Sequence, residues 1–289
     1  MICNSCPRKC NTDRENTLGF CKSPERFRVA RAALHYWEEP CISGKNGSGT
    51  VFFSGCNMRC VFCQNGEISH ENKGVEISDG RLIEVFNSLI EQGAHNINLV
   101  NPTHYAERLK EVLERFDSPV PIVYNTSGYE SVDTLKKLDG LVDIYLTDYK
   151  YSKPEKASRY SKAGDYCEVA RAAIGEMCRQ IPEPVFDGDI MQKGVIIRHL
   201  ILPSNTNSAL EVIDDTIKSY GGAYLSLMAQ YTPCGDLREY PEIDRRLTKR
   251  EYEKVINHAL STGYERIFVQ ETESADKKFI PAFDFTGIM

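Results

Sequence analysis

The chain has 289 residues, of which 41% are apolar and 26% charged, with a formal net charge of −6. That is enough for one large α/β domain or two ordinary ones, and without a basic block it sets aside a general nucleic-acid backbone binder. No apolar run is long enough to cross a bilayer, so no membrane partner is expected. The opening residues MICNSCPRKC lack the apolar stretch of a signal peptide. The 11 cysteines are odd in number and clustered, which favours metal ligands in a reducing cytoplasm over disulfides.

In chain order, residues 1–27 read as a cysteine-rich metal-binding segment and residues 28–289 as the main domain. Cys3, Cys6, Cys10 and Cys21 follow the pattern C-x2-C-P-x2-C-x10-C. So short a segment cannot build a core, and a metal held by four thiolates would supply its folding energy. Zinc and an auxiliary Fe–S cluster both suit the set. A strand over 29–36 is expected at a sheet edge, ended by Glu38-Glu39-Pro40, with Trp37 and Cys41 as buried packing residues. Gly44, Gly47 and Gly49 make the following connection flexible.

Strands and helices then alternate. Strands are expected at 51–53, 97–100, 121–124, 142–146, 194–202, 223–227 and 267–270. Between them lie a helix capped by Ser78, helices over 106–116, 132–138 and 165–180, and two helices opened by capping boxes at Ser208-x-x-Glu211 and Thr248-x-x-Glu251. Six β-then-α units in series imply a parallel sheet with right-handed crossovers. Eight would close a barrel; six predict an α/β fold with a partial (β/α)6 TIM-like barrel.

The sequence centres on residues 50–65, TVFFSGCNMRCVFCQN. An apolar strand stops at Ser54-Gly55, and Cys56, Cys60 and Cys63 follow as C-x3-C-x2-C. A structural zinc takes four protein ligands, and a cubane [4Fe–4S] cluster is usually held by four cysteines. Three cysteines on one loop leave one iron open for chemistry. This loop resembles the signature of the radical S-adenosylmethionine (SAM) superfamily, whose partial barrel matches the count of units above. The resemblance implies a [4Fe–4S] cluster on Cys56, Cys60 and Cys63, SAM as cosubstrate, and hydrogen abstraction by a 5′-deoxyadenosyl radical.

In a parallel barrel the working face lies at the strand C-termini. Those ends are polar here: Asn101-Pro102-Thr103-His104, Asn125-Thr126-Ser127, Thr147-Asp148-Tyr149-Lys150, Arg198-His199 and Gln230. Contacts to SAM are expected from Phe62, Gln64, Asn65, Asn101, Thr103, His104, Asn125, Ser127, Asp148, Lys150, Arg198 and Gln230. Lys150 and Arg198 would favour an anion such as the SAM carboxylate.

Within the superfamily the chain resembles the pyruvate formate-lyase activating-enzyme branch, and more narrowly the uncharacterised PflX-type Fe–S proteins. The stretches that carry this are CNSCPRKC, WEEPCISG, NINLVNPTHY, YNTSGY, DIYLTDYKY, IRHLILP, SLMAQYTP and FIPAF, besides the cysteine loop. The resemblance implies an oxidoreductase that activates a glycyl-radical enzyme and takes electrons from a low-potential flavodoxin or ferredoxin. The chain departs from the activases where Asn101-Pro102-Thr103-His104 stands in place of Gly-Gly-Glu. Radical modification of another peptide or small molecule is the alternative activity, and a non-catalytic Fe–S electron-transfer protein is the alternative class.

Overall fold

The structure is a computed structural model and describes residues 2–270 and 281–289. The start of the FIPAF stretch, Phe279 and Ile280, lies outside the described residues. A short antiparallel pair opens the chain, β1 (Ile2–Cys3) with β2 (Thr12–Asp13). Next come β3 (Phe27–His35), the one-turn helix α1 (Pro40–Ser43) and β4 (Ser48–Phe53). The cysteine loop leads to α2 (Gly66–Ser69), and β5 (Val75–Ile77) returns to pair with β3.

Alternation follows: α3 (Asp79–Glu91), β6 (Ile97–Val100), α4 (Ala106–Leu113), β7 (Ile122–Thr126), α5 (Val132–Lys136) and β8 (Ile144–Asp148). Two helices, α6 (Pro154–Ser161) and α7 (Tyr166–Gln180), precede the hairpin β9 (Val185–Asp187) and β10 (Ile190–Leu200). The chain continues with α8 (Thr206–Ser219), β11 (Tyr224–Met228), α9 (Lys249–Ser261) and β12 (Ile267–Val269).

The main sheet runs β12-β11-β10-β8-β7-β6-β4-β3-β5. Every pairing from β12 to β4 is parallel, and β3 and β5 add an antiparallel margin. This is the expected α/β architecture with a mostly parallel sheet. Among the described residues no ladder joins β12 to β5. Apolar side chains on the outer faces of the strands pack against the helices; Val195 and Ile197, for example, share a core with Ala170, Ala173 and Ile174 of α7. On the inner face, Val123, Ile144, Leu146 and Ile196 enclose Cys41 and Ile42. Helix α1 therefore plugs the barrel interior. Asn96 Nδ2 donates to Ile42 O at 2.8 Å, and Ser48 Oγ donates to Asn96 Oδ1 at 2.6 Å, which pins the plug to β4 and β6.

Local signals located several boundaries. Ser78 caps α3, and Thr248 with Glu251 forms the reciprocal box that opens α9. Four expectations need correction. The strand over 29–36 is an edge only in part: β5 pairs with Phe27–Val29, and the backbone at Phe285 and Thr286 bonds Ala30 and Ala32 beyond it. Ser208 does not open its helix; Asn205 precedes the first turn of α8, and the Ser208 hydroxyl bonds Ser152 instead. Helix α4 ends at Leu113, short of residue 116. Trp37 is 59% exposed rather than buried, since the chain turns there into the plug. The sequence reading also missed α6 and the plug helix itself.

Gly128 and Gly140 both adopt the left-handed region, at φ +78° and +80°. A Cβ on Gly128 would stand 2.2 Å from Asp148 O, whereas one on Gly140 meets nothing within 4 Å. Gly140→Ala should cost about 1–2 kcal/mol in urea unfolding, the ordinary penalty of that conformation. Gly128→Ala should cost clearly more, because the end of β8 must move. Equal losses would show that the turn after β7 does not constrain β8.

Candidate active site

Strand β4 delivers the chain to Ser54-Gly55, and Gly55 turns at φ +91°. A Cβ there would lie 2.0 Å from Ser23 Oγ and 2.9 Å from Cys21 O, so only glycine lets the N-terminal segment press against the turn. Cys60 is buried, and Cys56 and Cys63 are half-buried. Each sulfur has a donor. Met58 N–H donates to Cys56 Sγ at 3.3 Å, Ser161 Oγ to Cys60 Sγ at 3.0 Å, and Ser69 Oγ to Cys63 Sγ at 3.2 Å. Burial pushes all three thiols above their ordinary range, while the Lys150 ammonium pulls each back toward the thiolate. Donors aimed at every sulfur suit thiolate ligands. Among the described residues no three His, Cys, Asp or Glu side chains converge tightly enough for a single ion. A cubane takes its cysteines one per iron, so its ligands need not meet at one point.

The N-terminal segment packs on the outside of this loop. Arg8 Nε donates to Asn57 O at 2.8 Å, and Arg59 Nη2 donates to Phe20 O at 2.8 Å. Both guanidinium groups sit over the Phe20 ring, at 4.0 and 5.0 Å from its centroid. Arg14 donates from Nη2 to Cys3 Sγ at 2.8 Å and from Nη1 to His104 O. Phe20 N–H reaches Cys10 Sγ at 3.4 Å. Cys6 and Cys21 are buried, and burial pushes the Cys6 thiol up to about 12.

Inside the barrel lies a cavity of about 1350 Å³. Cys60, Cys63, Asn125, Asp148, Lys150 and Arg198 line it, and Phe62, Gln64, Asn65 and Gln230 also face it. Arg198 organises one wall. Its Nε donates to Asp148 Oδ1 at 3.0 Å, Nη1 to Glu38 Oε2 at 3.1 Å, and Nη2 to Asn125 Oδ1 at 2.6 Å. Asn125 Nδ2 returns a bond to Glu38 Oε1 at 3.2 Å, and Lys150 Nζ bonds the second oxygen of Asp148. The two cations hold Asp148 below the usual carboxylate range against the effect of burial. Arg198 thus gives each of its three nitrogens a protein partner. Lys150, just past the end of β8, is the cation next to the cysteines.

The other expected rim residues serve the framework. Asn101, at φ +57°, turns its amide to Gly55 O. His104 is buried with Nε2 at 2.8 Å from Ser54 O; burial and then Arg14 bring its pKa down to about 3, so the ring is neutral. Thr103 donates to Glu130 at 2.5 Å, and Thr126 bonds the same oxygen. Ser127 contributes its carbonyl to Tyr166 OH at 2.9 Å. None of these four lines the cavity. Glu38, which lines the cavity and bonds Arg198, is the site residue that the sequence reading missed. Two acids before a proline look like a strand break, and only the apolar Cys41-Ile42 behind them hints at burial.

The chain belongs to the radical SAM superfamily, whose sequence profile matches residues 50–201. Membership brings a [4Fe–4S] cluster and SAM cleavage with it. The chain is 31% identical over 276 residues to an uncharacterized protein of Methanocaldococcus jannaschii, covering 92% of this chain and 76% of that one. It is 21% identical over 182 residues to 7-carboxy-7-deazaguanine synthase of Methanothermobacter thermautotrophicus, covering 62% of this chain and 65% of that one. In fold it is similar to Streptococcus suis SuiB bound to S-adenosylmethionine, with a TM-score of 0.50, 12% identity and 75% of this chain covered. The chain spans 48% of the SuiB chain. Among the described residues no helix is long and apolar enough to cross a membrane.

Glu130 ties the turns after β6 and β7 together from behind. Burial pushes its carboxyl from 4.5 up to about 7, against the opposing pull of the Thr103, Thr126 and Tyr124 hydroxyls. The folded state therefore holds this proton more tightly than the unfolded state. Its stabilising contribution is complete below about pH 4.5 and is lost as pH rises through about 7. Melting temperatures across that window should fall with pH in the wild type and show a shallower slope in Glu130→Gln. Parallel slopes would mean that Glu130 is not the group responsible.

Proposed function

We propose that Cys56, Cys60 and Cys63 hold the [4Fe–4S] cluster at the mouth of this cavity, and that a second substrate loses a hydrogen atom inside it. The observation that supports this most is that two of the three loop thiols and Lys150 share one large cavity with an ordered polar wall. When bound, the reduced cluster supplies the electron that splits SAM into methionine and a 5′-deoxyadenosyl radical. The chain's own residues bind and orient. Lys150 offers a positive charge to the SAM carboxylate, with Asp148 fixing its direction. Gln64, Asn65 and Gln230 bring amides suited to the hydroxyl and amino groups of the nucleoside. Phe62, packed edge-on to Tyr231 with centroids 5.8 Å apart, gives an apolar patch beside the cysteines.

Activation of a glycyl-radical enzyme, with flavodoxin or ferredoxin as electron donor, is the finer reading that the resemblance supports. A small-molecule substrate is the second reading. The depth of the charged wall inside the barrel favours it, as does the likeness to 7-carboxy-7-deazaguanine synthase. We assign Cys3, Cys6, Cys10 and Cys21 a second centre, zinc or Fe–S. Its support is the donors that Arg14 and Phe20 aim at Cys3 and Cys10 and the mutual electrostatic influence of Cys3, Cys6 and Cys21.

Reduced wild-type protein with SAM should release 5′-deoxyadenosine, and Cys60→Ala should release none; activity in that variant would sink the cluster assignment. A Cys56/Cys60/Cys63 triple-alanine protein should still carry about one zinc or one further cluster per chain by elemental analysis. Metal-free protein would reduce residues 1–27 to a docked tail.

Lys150→Ala should weaken SAM binding about tenfold to a hundredfold, the worth of a charge-assisted hydrogen bond, with iron content unchanged. Unaltered SAM affinity would show that Lys150 serves only Asp148.

A further inference from the structure

We propose that Tyr151 and Ser161 form a two-hydroxyl chain ending on Cys60 Sγ, a positioning pair that favours the reduced state of the cluster on the cysteine loop. The inference rests on the cluster assignment made above and names residues that set its potential.

Burial is the first argument. Cys60 is the buried member of the three loop cysteines, whereas Cys56 and Cys63 are half-buried. Water reaches a half-buried thiolate and solvates its charge; at Cys60 the protein must supply the donors. The supply is uneven in the matching sense. Cys56 has a backbone N–H at 3.3 Å, and Cys63 has one hydroxyl at 3.2 Å. Cys60 has the Ser161 hydroxyl at 3.0 Å, with the Tyr151 hydroxyl 2.7 Å behind it. Ser161 is fully buried and Tyr151 is 2% exposed, so solvent does not compete for either.

Direction is the second argument. A serine hydroxyl carries one proton. A cysteine that ligates a metal has no proton to give, so Ser161 donates to Cys60 and Tyr151 must donate to Ser161. The chain therefore runs one way, from the Tyr151 O–H through the Ser161 O–H to sulfur. Hydrogen bonds arranged head to tail in a low-dielectric interior strengthen one another. An electron added to a cluster puts more negative charge on its sulfurs. Donors aimed at those sulfurs hence stabilise the reduced state more than the oxidised one.

Placement is the third argument. A serine in a helix commonly gives its proton to the carbonyl four residues back. Ser161 ends α6 and turns its proton to a sulfur, which is a weak acceptor as a thiol and a stronger one as a thiolate. Tyr151 sits beside the rings of Tyr160 and Tyr166, with centroids 6.3 and 5.5 Å away. Their hydroxyls are engaged elsewhere, with Glu242 and with the carbonyls of Ser127 and Asp148. Val61 N–H donates to Tyr160 O at 2.8 Å, which fixes the end of α6 to the loop one residue past Cys60. Helix α6 thus serves the loop as a brace and carries the donor.

The test is a redox titration of the anaerobically reconstituted protein, followed by the EPR signal of the reduced cluster that Cys60→Ala lacks. Ser161→Ala should lower the ratio of reduced to oxidised cluster at a fixed potential about tenfold, a shift of about 59 mV to more negative values for one electron. Tyr151→Phe keeps the Ser161 bond but loses the outer donor, and should lower the same ratio about threefold. Iron and sulfide analysis reports loading in each variant. Should one variant lose its cluster, the other decides alone. A loaded variant that titrates at the wild-type potential or above it would overturn the proposal. So would loss of the cluster from both variants, which would make the pair part of the framework. Wild-type protein that loads no cluster on Cys56, Cys60 and Cys63 would sink the cluster assignment and this pair together, whereas a loaded cluster indifferent to both hydroxyls would sink the pair alone.

Discussion

The arrangement of the cavity hangs on the burial of one guanidinium. Removing a charge from water costs several kcal/mol, recovered only when the partners are complete and well placed. Arg198 meets that condition by spending Nε, Nη1 and Nη2 on Asp148, Glu38 and Asn125. Those three acceptors belong to β8, to the segment leading into the plug, and to β7. The condition for burying Arg198 thus fixes three separate pieces of chain against each other. Asp148 passes the constraint on, since its other oxygen holds Lys150 beside the thiols. A satisfied buried network of this kind is stiff, and stiffness is what a preorganised site requires.

The cysteine loop is held from the opposite side by the N-terminal segment. Arg8 and Arg59 bridge the two directly, to Asn57 O and Phe20 O, and Arg14 reaches His104 O on the rim turn after β6. Neutral His104 continues the Arg14 bridge to Ser54, the residue at which β4 ends. The loop is therefore clamped between the barrel rim and a segment too short to fold on its own apolar content. This explains why the second rim turn, Asn101 to His104, faces away from the cavity. Its side chains supply the clamp: Asn101 to Gly55 O and His104 to Ser54 O.

Much of the fold was legible because it rests on local chemistry. Buried parallel strands read as short apolar runs, as at Ile97–Val100 and Ile144–Asp148. The box at Thr248 and Glu251 is complete within four residues. What stayed hidden depends on distant partners. Nothing near β3 announces that β5 will pair with its first three residues. Glu38 meets Arg198 across 160 residues of sequence, so the pair at 38–39 carried only its turn chemistry. Within the site, the cysteine spacing was the strongest signal, and Asp148, Lys150, Arg198 and Gln230 do share a cavity. Thr103, His104 and Ser127 looked equally suitable. Their fate was decided by backbone turns such as Asn101 at φ +57°, which composition does not reveal.

The inner face of the barrel makes one further point about cost. In the lower layer, Val123, Ile144, Leu146 and Ile196 pack on the plug as an ordinary apolar core. Two residues further along the same strands stand Asn125, Asp148 and Arg198. An apolar set there would be at least as stable, since buried ion networks rarely outperform well-packed hydrocarbon. A departure from that preference at one layer, on the wall shared with the cysteines, marks function. The contributions to that layer divide by origin. Strands supply Asn125, Asp148 and Arg198, which also carry the sheet. Glu38 and Glu39 arrive on a connection outside the ladder of parallel strands. That connection is as constrained as the strands: Glu38 completes the Arg198 network, and Cys41 and Ile42 fill the apolar layer below it.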